Sequence, residues 1–262
     1  MKTGFLIAII LTLLGLYFKS PKVKGRRSER AVARQLDMDS IWKYGGKTLR
    51  NLYVPKPAGG TSEIDVLYIT SKGILVLENK NYAGYIFGSE NDKNWTVTLY
   101  AGKSWTGRKN VEKHQFYNPI WQNRTHIKYL KEYLGNNIRF FSIIAFSNRG
   151  DLKSIEVHSP DVAVCNHAGL SDVLKELWSS YPDILSEAEI EELYNKLQPL
   201  TNADREVKQK HVEDIHDRFN NKDICPVCGG RLVLRTAKSG ANAGKQFYGC
   251  SNYPKCRFTR NL

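Results

Sequence analysis

Two acidic residues and a lysine fall on neighbouring predicted strands of one sheet. Asp65 lies in a β-prone run at residues 64–69, and Glu78 and Lys80 follow the apolar run at residues 74–77. Residues two apart on a strand point to the same face. If residues 70–73 all form the turn, Asp65 lies opposite Glu78, close enough for the two carboxylates to bind one divalent cation. A three-residue turn would instead pair Asp65 with Asn79 and turn Glu78 to the other face.

This group of side chains suits the hydrolysis of a phosphodiester bond. A divalent metal polarises a phosphoryl oxygen and supplies hydroxide near neutral pH. Mg²⁺ or Mn²⁺ would be the catalytic cofactor, because carboxylate oxygens are ligands that both metals prefer. Lys80 would orient the attacking water and offset charge in the transition state. A Glu-x-Lys sequence also arises by chance as an ion pair at the end of a strand, so the spacing alone leaves both interpretations open.

Four cysteines near the C-terminus have the spacing of a structural zinc site. Cys225 and Cys228 form one close pair, and Cys250 and Cys256 form the second. Two thiolate pairs separated by a hairpin suit tetrahedral Zn²⁺, and the metal would supply folding energy that about forty residues cannot obtain from an apolar core. Disulfides, the alternative, would need an oxidising compartment. The fifth cysteine, Cys165, is predicted to be a buried thiol on a strand.

Basic and aromatic side chains alternate between and after these four cysteines. Cations neutralise phosphates and aromatic rings stack on unpaired bases, a combination that favours single-stranded DNA and leaves RNA open. The alternative is that the aromatic rings form the small core of the cysteine-rich segment. The candidate nucleic-acid-binding residues are Arg231, Arg235, Lys238, Lys245, Tyr248, Tyr253 and Arg257.

The net charge of +13 is concentrated at the two ends of the chain. Residues 1–30 and 223–262 each carry an excess of six positive charges, whereas the residues between them carry an excess of one. The two ends are therefore predicted to bind anions, and the neutral body between them is predicted to have a different function. The 41% apolar and 25% charged composition excludes a wholly disordered chain.

The N-terminal segment is predicted to be a membrane anchor. Residues 5–18 are apolar apart from Thr12, and basic residues follow from Lys19 to Arg27. This pattern predicts one short transmembrane helix within residues 1–20, with the soluble domains on the cytoplasmic side of the bacterial inner membrane. A cleaved signal peptide and a helix lying on the membrane surface are the alternatives, but no small-residue cleavage site follows the apolar run.

The cysteine-rich segment resembles the C-terminal zinc ribbons of bacterial type IA DNA topoisomerases. The resemblance covers nearly all of residues 225–259, from the first cysteine pair to the sequence CRFT. It implies a DNA-binding appendage. It does not imply strand passage, because this chain has no room for the large topoisomerase core and its catalytic tyrosine.

Residues from about 26 to 145 resemble the nuclease-related domain (NERD) family, a branch of the PD-(D/E)xK nuclease superfamily. The resemblance implies that Asp65 and Glu78 are metal ligands, that Lys80 is the catalytic lysine, that Glu29 is an accessory acid and that Gln122 is a helix-borne contact beside the site. Asn79 stands where an apolar residue is commoner in the family. The matching pieces are Glu29, GTSEID at 60–65, VLENKN at 76–81, GYIFG at 84–88 and NPIWQ at 118–122.

The predicted fold class is α/β, with a restriction-endonuclease-like core in which helices flank a mixed central sheet. A small β zinc ribbon and the N-terminal transmembrane helix complete it. A short helix capped by Ser28 is predicted at residues 28–36, and the histidines are interpreted as structural or exposed. The predicted parts are the anchor at 1–20, the nuclease-like domain at 21–180, a helical linker at 181–222 and the zinc ribbon at 223–262.

The leading functional hypothesis is a membrane-anchored, metal-dependent nuclease whose zinc ribbon binds DNA. The alternative is a non-catalytic protein that holds DNA at the membrane through its two basic ends. A restriction-like defence enzyme is a third interpretation, which differs from the first in biological role more than in chemistry.

Overall fold

A computed structural model of this chain describes residues 21–39, 43–57, 59–103, 109–135, 137–220, 223–225, 230–237, 243–254, 256 and 258–261. The chain divides into two compact units. The first comprises residues up to Val54 together with Glu63–Thr201, and the second comprises Pro55–Ser62 and Asn202–Leu262. None of the helices in the described ranges combines the length and the apolar character that a membrane span requires. The predicted anchor at residues 1–20 lies outside these ranges.

The first unit combines two β-sheets with flanking helices. The strand order is β1-β2-β3-β7-β9 in a five-stranded sheet and β6-β5-β4-β8 in a four-stranded sheet. The elements in chain order are α1 (Pro21–Asp39), β1 (Lys47–Pro55), β2 (Thr61–Thr70), β3 (Gly73–Lys80), β4 (Gly84–Ser89), β5 (Asn94–Lys103), β6 (Lys109–Tyr117), α2 (Pro119–Leu134), β7 (Phe140–Phe146), β8 (Gly150–Glu156), β9 (Val162–Asn166), α3 (Leu170–Ser180) and α4 (Glu187–Leu197).

The hairpin of β2 and β3 has the predicted register, but its turn contains two residues, 71 and 72, because Thr70 and Gly73 are themselves paired. Ile69 pairs with Ile74, and the antiparallel pairing continues to Val66 and Leu77. β3 then pairs in parallel with β7, and β7 with β9, so the central sheet is mixed as predicted. Gly73 begins β3 with φ of +126°, and a Cβ there would lie 2.4 Å from the carbonyl oxygen of Arg139. The turn therefore requires glycine.

Both faces of the five-stranded sheet are buried because β3 and β7 are apolar on both sides. Leu75 and Leu77 pack with α1 and α3 on one face. Ile74 and Val76 pack with α2 and α4 on the other face. The four-stranded sheet contributes a third cluster, in which the ring of Trp95 stacks on Phe146. These clusters fix the carboxyl end of β3 in a closely packed environment.

Helix α1 begins earlier than the sequence predicts. The prediction that Ser28 caps a short helix is wrong, because the helix runs from Pro21 to Asp39 and Ser28 lies inside it. Proline suits the first turn of a helix, where its missing N–H has no helical partner. The Ser28 hydroxyl donates to Oδ1 of Asn79 at 3.2 Å. Ser28 therefore connects α1 to β3.

The first unit also extends beyond the predicted boundary at residue 180. Helix α4 begins with a capping box, in which Ser186 and Glu189 each accept from the backbone amide of the other. Ile190 and Leu197 on this helix are buried in the cluster that contains Ile74 and Val76. Residues 187–197 thus belong to the core of the first unit, whereas the sequence places them in a linker.

The second unit contains a long helix and a small antiparallel sheet. Its elements are α5 (Arg205–Asn220), β10 (Leu232–Thr236), β11 (Gln246–Cys250) and β12 (Thr259–Asn261). β11 is the central strand and pairs with both of its neighbours. A core of Cys225, Leu232, Cys250 and Cys256 holds the sheet together, with Tyr248 and Phe258 packed against it. So few apolar residues cannot stabilise this sheet alone.

Candidate functional site

Glu78 and Lys80 form the centre of a hydrogen-bonded group at the carboxyl end of β3. Glu78 is buried, with 3% of its surface exposed. Its Oε1 accepts from Lys80 Nζ at 2.7 Å and from Gln122 Nε2 at 2.8 Å. The Oε1 of Gln122 accepts from Lys80 Nζ at 2.8 Å. Glu78, Lys80 and Gln122 therefore form a closed triangle of hydrogen bonds, which we call the Glu-Lys-Gln triangle.

Asp65 joins this group at the point where the β2–β3 ladder ends. The pairing between the two strands stops at Val66 and Leu77. The backbone N–H of Asn79 then donates to Oδ2 of Asp65 at 2.9 Å. The side chain of Asp65 thus takes the place of a backbone acceptor, which fixes its carboxylate beside the segment that carries Glu78 and Lys80.

The charges of these residues are coupled. Burial raises the pKa of Asp65 well above its usual range, and the charges of Glu78 and Glu29 raise it further, against the Asn79 hydrogen bond and the charge of Lys80. Burial also opposes ionisation of Glu78, but Lys80 and His126 outweigh it and lower the pKa of Glu78 to about 2. Although burial alone would lower the pKa of Lys80, Glu78 and Asp65 raise it. Glu78 and Lys80 are therefore an ion pair at neutral pH.

Helix α2 supplies the second side of the group. Asn118 caps the helix, since its Oδ1 accepts from the backbone N–H groups of Ile120 and Trp121. Gln122 and His126 are four residues apart, so they lie on the same face of α2. The Nε2 of His126 lies 3.3 Å from Oε2 of Glu78. Both carboxylate oxygens of Glu78 are thus in contact with side chains of α2.

The start of α2 is fixed by the turn between β4 and β5. The Nδ2 of Asn118 donates to the carbonyl oxygens of Ser89, Glu90 and Asp92. The indole N–H of Trp121 donates to the carbonyl of Glu90 at 2.8 Å. These contacts set the position of Gln122, one residue after Trp121.

Glu90 itself is a buried carboxylate surrounded by donors. Its Oε2 accepts from the backbone N–H groups of His158 and Ser159 at 2.8 and 3.0 Å. Its Oε1 accepts from Arg124 on α2 and from the Ser159 hydroxyl. Burial opposes ionisation, but these hydrogen bonds lower the pKa of Glu90 to about 2.

Glu90→Gln is expected to lower the free energy of unfolding of the first unit by about 2 kcal/mol at pH 7, a value typical of hydrogen bonds to charged groups. Because the folded-state pKa of Glu90 is depressed, its contribution is complete above the ordinary value of 4.5 and is lost as the pH falls toward 2. Urea denaturation at pH 7 and at pH 3 measures the difference. The exposed Glu112→Gln variant is the matched control, and an equal loss in both variants would contradict the prediction.

The structure brings together most of the predicted catalytic residues, and it places one further side chain, that of His126, in contact with them. Asp65, Glu78, Lys80 and Gln122 converge, and Glu29 on α1 acts on Asp65 through its charge. His126 was interpreted from the sequence as structural or exposed, but it contacts Glu78. Its position four residues after Gln122 is the sequence signal that could have identified it.

The side chain of Asn79 contacts residues outside the Glu-Lys-Gln triangle. Its Oδ1 accepts from the Ser28 hydroxyl and lies 2.8 Å from Nε2 of His167. Because Asn79 alternates with Glu78 and Lys80 along β3, its side chain is on the other face of the strand. A polar residue is tolerated here because a serine and a histidine satisfy its oxygen.

The donor set at the end of β3 fits a divalent metal ion. Asp65 and Glu78 offer carboxylate oxygens, and burial together with the nearby charge of Glu78 raises the pKa of Asp65. A cation beside the two carboxylates would relieve this repulsion. Among the described residues, however, a group of three or more acidic, histidine or cysteine ligand atoms within 4.8 Å of one another occurs only at the three cysteines of the second unit. Asp65 and Glu78 would therefore be a two-carboxylate site, as Mg²⁺ accepts.

The cysteines of the second unit form a preorganised metal centre. The Sγ atoms of Cys225, Cys250 and Cys256 lie within 4.8 Å of one another, and all three residues are buried. The Cys225 and Cys256 sulfurs are 3.7 Å apart. This is too long for a disulfide bond of about 2.05 Å, but it fits an edge of about 3.8 Å in a tetrahedron with Zn–S bonds of about 2.3 Å. Cys228, the predicted fourth ligand, lies outside the described residues.

The loops around the cysteines support ligation. The backbone N–H of Asn252 donates to Sγ of Cys250 at 3.4 Å, which stabilises a thiolate. A Cβ at Gly230 would lie 2.7 Å from Nδ2 of Asn252 and 3.3 Å from that sulfur. Gly230 therefore allows close approach of the first cysteine loop to the second.

The predicted nucleic-acid-binding residues of this unit differ in accessibility. Arg231 and Lys245 are exposed, and Arg235 lies with its guanidinium 5.8 Å from the ring centroid of Tyr253. Tyr253 is exposed, whereas Tyr248 packs against the cysteine core. Arg235 and Tyr253 thus form a cation–aromatic pair with an exposed ring. Lys238 and Arg257 lie outside the described residues.

The sequence of the first unit matches a known family. Residues 24–147 match the nuclease-related domain (NERD). Over 216 residues the chain is 31% identical to an uncharacterized protein of Bacillus anthracis, in a match that covers 82% of this chain and 94% of that protein. The chain belongs to the nuclease-related domain family. The predicted resemblance is confirmed, and the Glu-Lys-Gln triangle lies within the NERD domain.

The second unit of this NERD protein matches a different family. Residues 222–262 match the topoisomerase DNA-binding C4 zinc finger. This segment is 63% identical over 38 residues to DNA topoisomerase 1 of Archaeoglobus fulgidus, and a 61-residue match to that of Methanocaldococcus jannaschii is 48% identical. These matches cover 14% and 23% of the chain but 5% and 7% of the topoisomerases. The likeness is thus confined to a small part of each enzyme. No solved structure matches the chain.

Proposed function

We propose that this protein is a metal-dependent nuclease that hydrolyses DNA phosphodiester bonds. The observation that carries the proposal is the convergence of Asp65, Glu78 and Lys80, within a NERD domain, at the end of one central strand. A buried lysine beside two coupled carboxylates suits a reaction in which negative charge develops on a phosphoryl group.

Each side chain has a distinct role in this proposal. Asp65 and Glu78 would hold Mg²⁺ or Mn²⁺, which would polarise the scissile phosphate and supply hydroxide near neutral pH. Lys80 orients the attacking water and offsets charge on the phosphate. Gln122 holds the ammonium of Lys80 and the carboxylate of Glu78 in place through its two ends. Glu29 is an accessory acid that acts on Asp65 through its charge.

The zinc ribbon would deliver DNA to the nuclease-related domain. The match to topoisomerase DNA-binding zinc fingers and the excess of six positive charges in residues 223–262 support this role. Arg235 and Tyr253 offer a cation beside an exposed ring, which suits a single strand with unpaired bases. Zinc is structural in this proposal.

The N-terminal segment would tether the protein to the bacterial inner membrane. The apolar residues 5–18 and the basic residues from Lys19 to Arg27 support a single-pass anchor, with the other domains on the cytoplasmic side. The first basic end of the chain would then lie against anionic lipid headgroups.

A second candidate function is a non-catalytic DNA tether. It is favoured by the saturation of Glu78, whose two oxygens already contact Lys80, Gln122 and His126. A carboxylate with these partners can also be explained as a buried ion pair that stabilises the end of β3.

A cleavage assay separates the two functions. Purified full-length protein is incubated with single- and double-stranded DNA and RNA, with and without Mg²⁺ or Mn²⁺. We expect metal-dependent cleavage of DNA that falls by about 10²-fold or more in Asp65→Asn, while the DNA affinity measured by fluorescence anisotropy is unchanged. The absence of cleavage of any substrate with any of these metals would leave the tether as the function.

A further inference from the structure

The four-stranded sheet of the first unit exposes large apolar side chains on its outer face. Tyr85 and Phe87 on β4, Tyr100 on β5 and Val111 on β6 are 50%, 37%, 61% and 50% exposed. Ile86, between the first two, is fully buried in the core. The exposed residues therefore follow the alternation of a sheet that is buried on one side only.

The strand register places these side chains on one continuous surface. Tyr85 pairs with Thr98, and Tyr100, two residues further along β5, pairs with Val111. Directly opposed residues share a face, and so do residues two apart on one strand. Tyr85 and Tyr100 are consequently diagonal neighbours at about 7–8 Å. We call Tyr85, Phe87, Tyr100 and Val111 the aromatic face.

Two lysines lie beside the aromatic face. Lys113 on the edge strand β6 pairs with Thr98, so it lies on the same side of the sheet as the aromatic face. The ammonium of Lys153 lies 5.0 Å from the ring centroid of Tyr85 and is paired with Asp151 at 2.7 Å. The sequence from residue 94 to residue 117 holds four Lys or Arg and one Glu, an excess of three positive charges. Residues 31–222 as a whole have an excess of one, so this hairpin is more basic than the body taken together.

The aromatic face begins five residues after the candidate active site in the sequence. Tyr85 follows Lys80 by five residues, and a chain of that length spans at most about 18 Å. At the rise of about 3.4 Å per nucleotide in duplex DNA, this distance corresponds to about five nucleotides. One strand of DNA is thus long enough to contact the aromatic face and Lys80 together.

We propose that the aromatic face binds an unpaired DNA strand by stacking its bases on Tyr85, Phe87 and Tyr100. This inference rests on the proposed nuclease function, because it assigns the substrate-holding surface of that enzyme. Aromatic rings stack on bases of any sequence, and neighbouring cations neutralise the phosphates. The bases of a duplex are stacked on one another, so this surface discriminates between single and double strands.

The proposal is tested by replacing the exposed rings in the full-length protein. Binding of fluorescent single-stranded and duplex DNA is measured by anisotropy in buffer without Mg²⁺, so that cleavage does not enter the measurement. Tyr100→Ala is expected to weaken single-strand binding about tenfold and to leave duplex binding unchanged, whereas Tyr100→Phe retains the affinity. Val212→Ala, a substitution at an exposed apolar residue on α5, is the matched control.

The zinc ribbon is a second DNA-binding surface, so the same variants are also measured together with Cys250→Ser. In that background, single-stranded DNA carrying 5-iodouracil should still cross-link to Tyr85 or Tyr100. Unchanged single-strand affinity in the Tyr85→Ala, Phe87→Ala and Tyr100→Ala triple variant would overturn the proposal. A triple variant that changes oligomeric state in light scattering without losing DNA affinity would also overturn it, because the face would then join two copies of the chain. Failure of the nuclease function would appear only in the Mg²⁺-dependent cleavage assay.

Discussion

Glu78→Gln is expected to reduce DNA cleavage by about 10³-fold or more, the largest effect of any single substitution in the nuclease-related domain. The amide removes one of the two negative charges that would hold the metal ion. It also replaces the carboxylate that pairs with Lys80 by an uncharged amide, since Lys80 Nζ and Glu78 Oε1 are 2.7 Å apart. Cleavage is measured under single-turnover conditions at saturating Mg²⁺.

Loss of a buried charge partner destabilises a protein by about 3–5 kcal/mol, so the folding of this variant needs its own control. The double variant Glu78→Gln with Lys80→Met removes both charges and is expected to recover much of that stability in urea denaturation. Cleavage should remain absent in the double variant if the pair is catalytic. Cleavage that returns together with stability would show that the pair has a structural role alone.

Cys250→Ser is expected to release zinc and to unfold the zinc ribbon. Three buried sulfurs form the centre of this unit, and the residues packed around them are too few to fold without metal. Zinc content measured by inductively coupled plasma mass spectrometry should fall from about one atom per chain to less than about 0.1, because the site loses one of its thiolate ligands. DNA affinity should fall by about 10²-fold or more as the ribbon surface is lost.

Cys165→Ser is the matched control for this experiment. Cys165 is a buried thiol on β9, and burial raises its pKa to about 12, so it stays protonated and does not ligate metal. Zinc content and DNA affinity should be unchanged in this variant. Zinc retention by Cys250→Ser, or zinc loss from Cys165→Ser, would contradict the assignment of the metal centre.

The hairpin that carries the candidate active site could be predicted from the sequence because its signals are local. The four residues 70–73 between two apolar runs predict the pairing of Ile69 with Ile74, and a strand that is apolar on both faces is central in a sheet. The cysteine pairs are local in the same sense, since their spacing alone identifies a hairpin around a metal.

The features that the sequence did not reveal depend on contacts between distant segments. Ser28 resembles a helix cap in isolation, but its hydroxyl is used by Asn79, 51 residues away. His126 has no metal-ligand spacing to another histidine, and it reaches Glu78 only because α2 packs on β3. The polar composition of segment 187–197 predicts a linker, although Ile190 and Leu197 are buried in the main core. Tertiary packing decides each of these cases.

The Glu-Lys-Gln triangle uses two of the three hydrogens that a lysine ammonium carries. No protein acceptor among the described residues takes the third. Lys80 can therefore donate to an incoming oxygen atom while both of its present partners stay in place. The cation is held in position before any ligand arrives, so its contribution requires no rearrangement of the surrounding side chains.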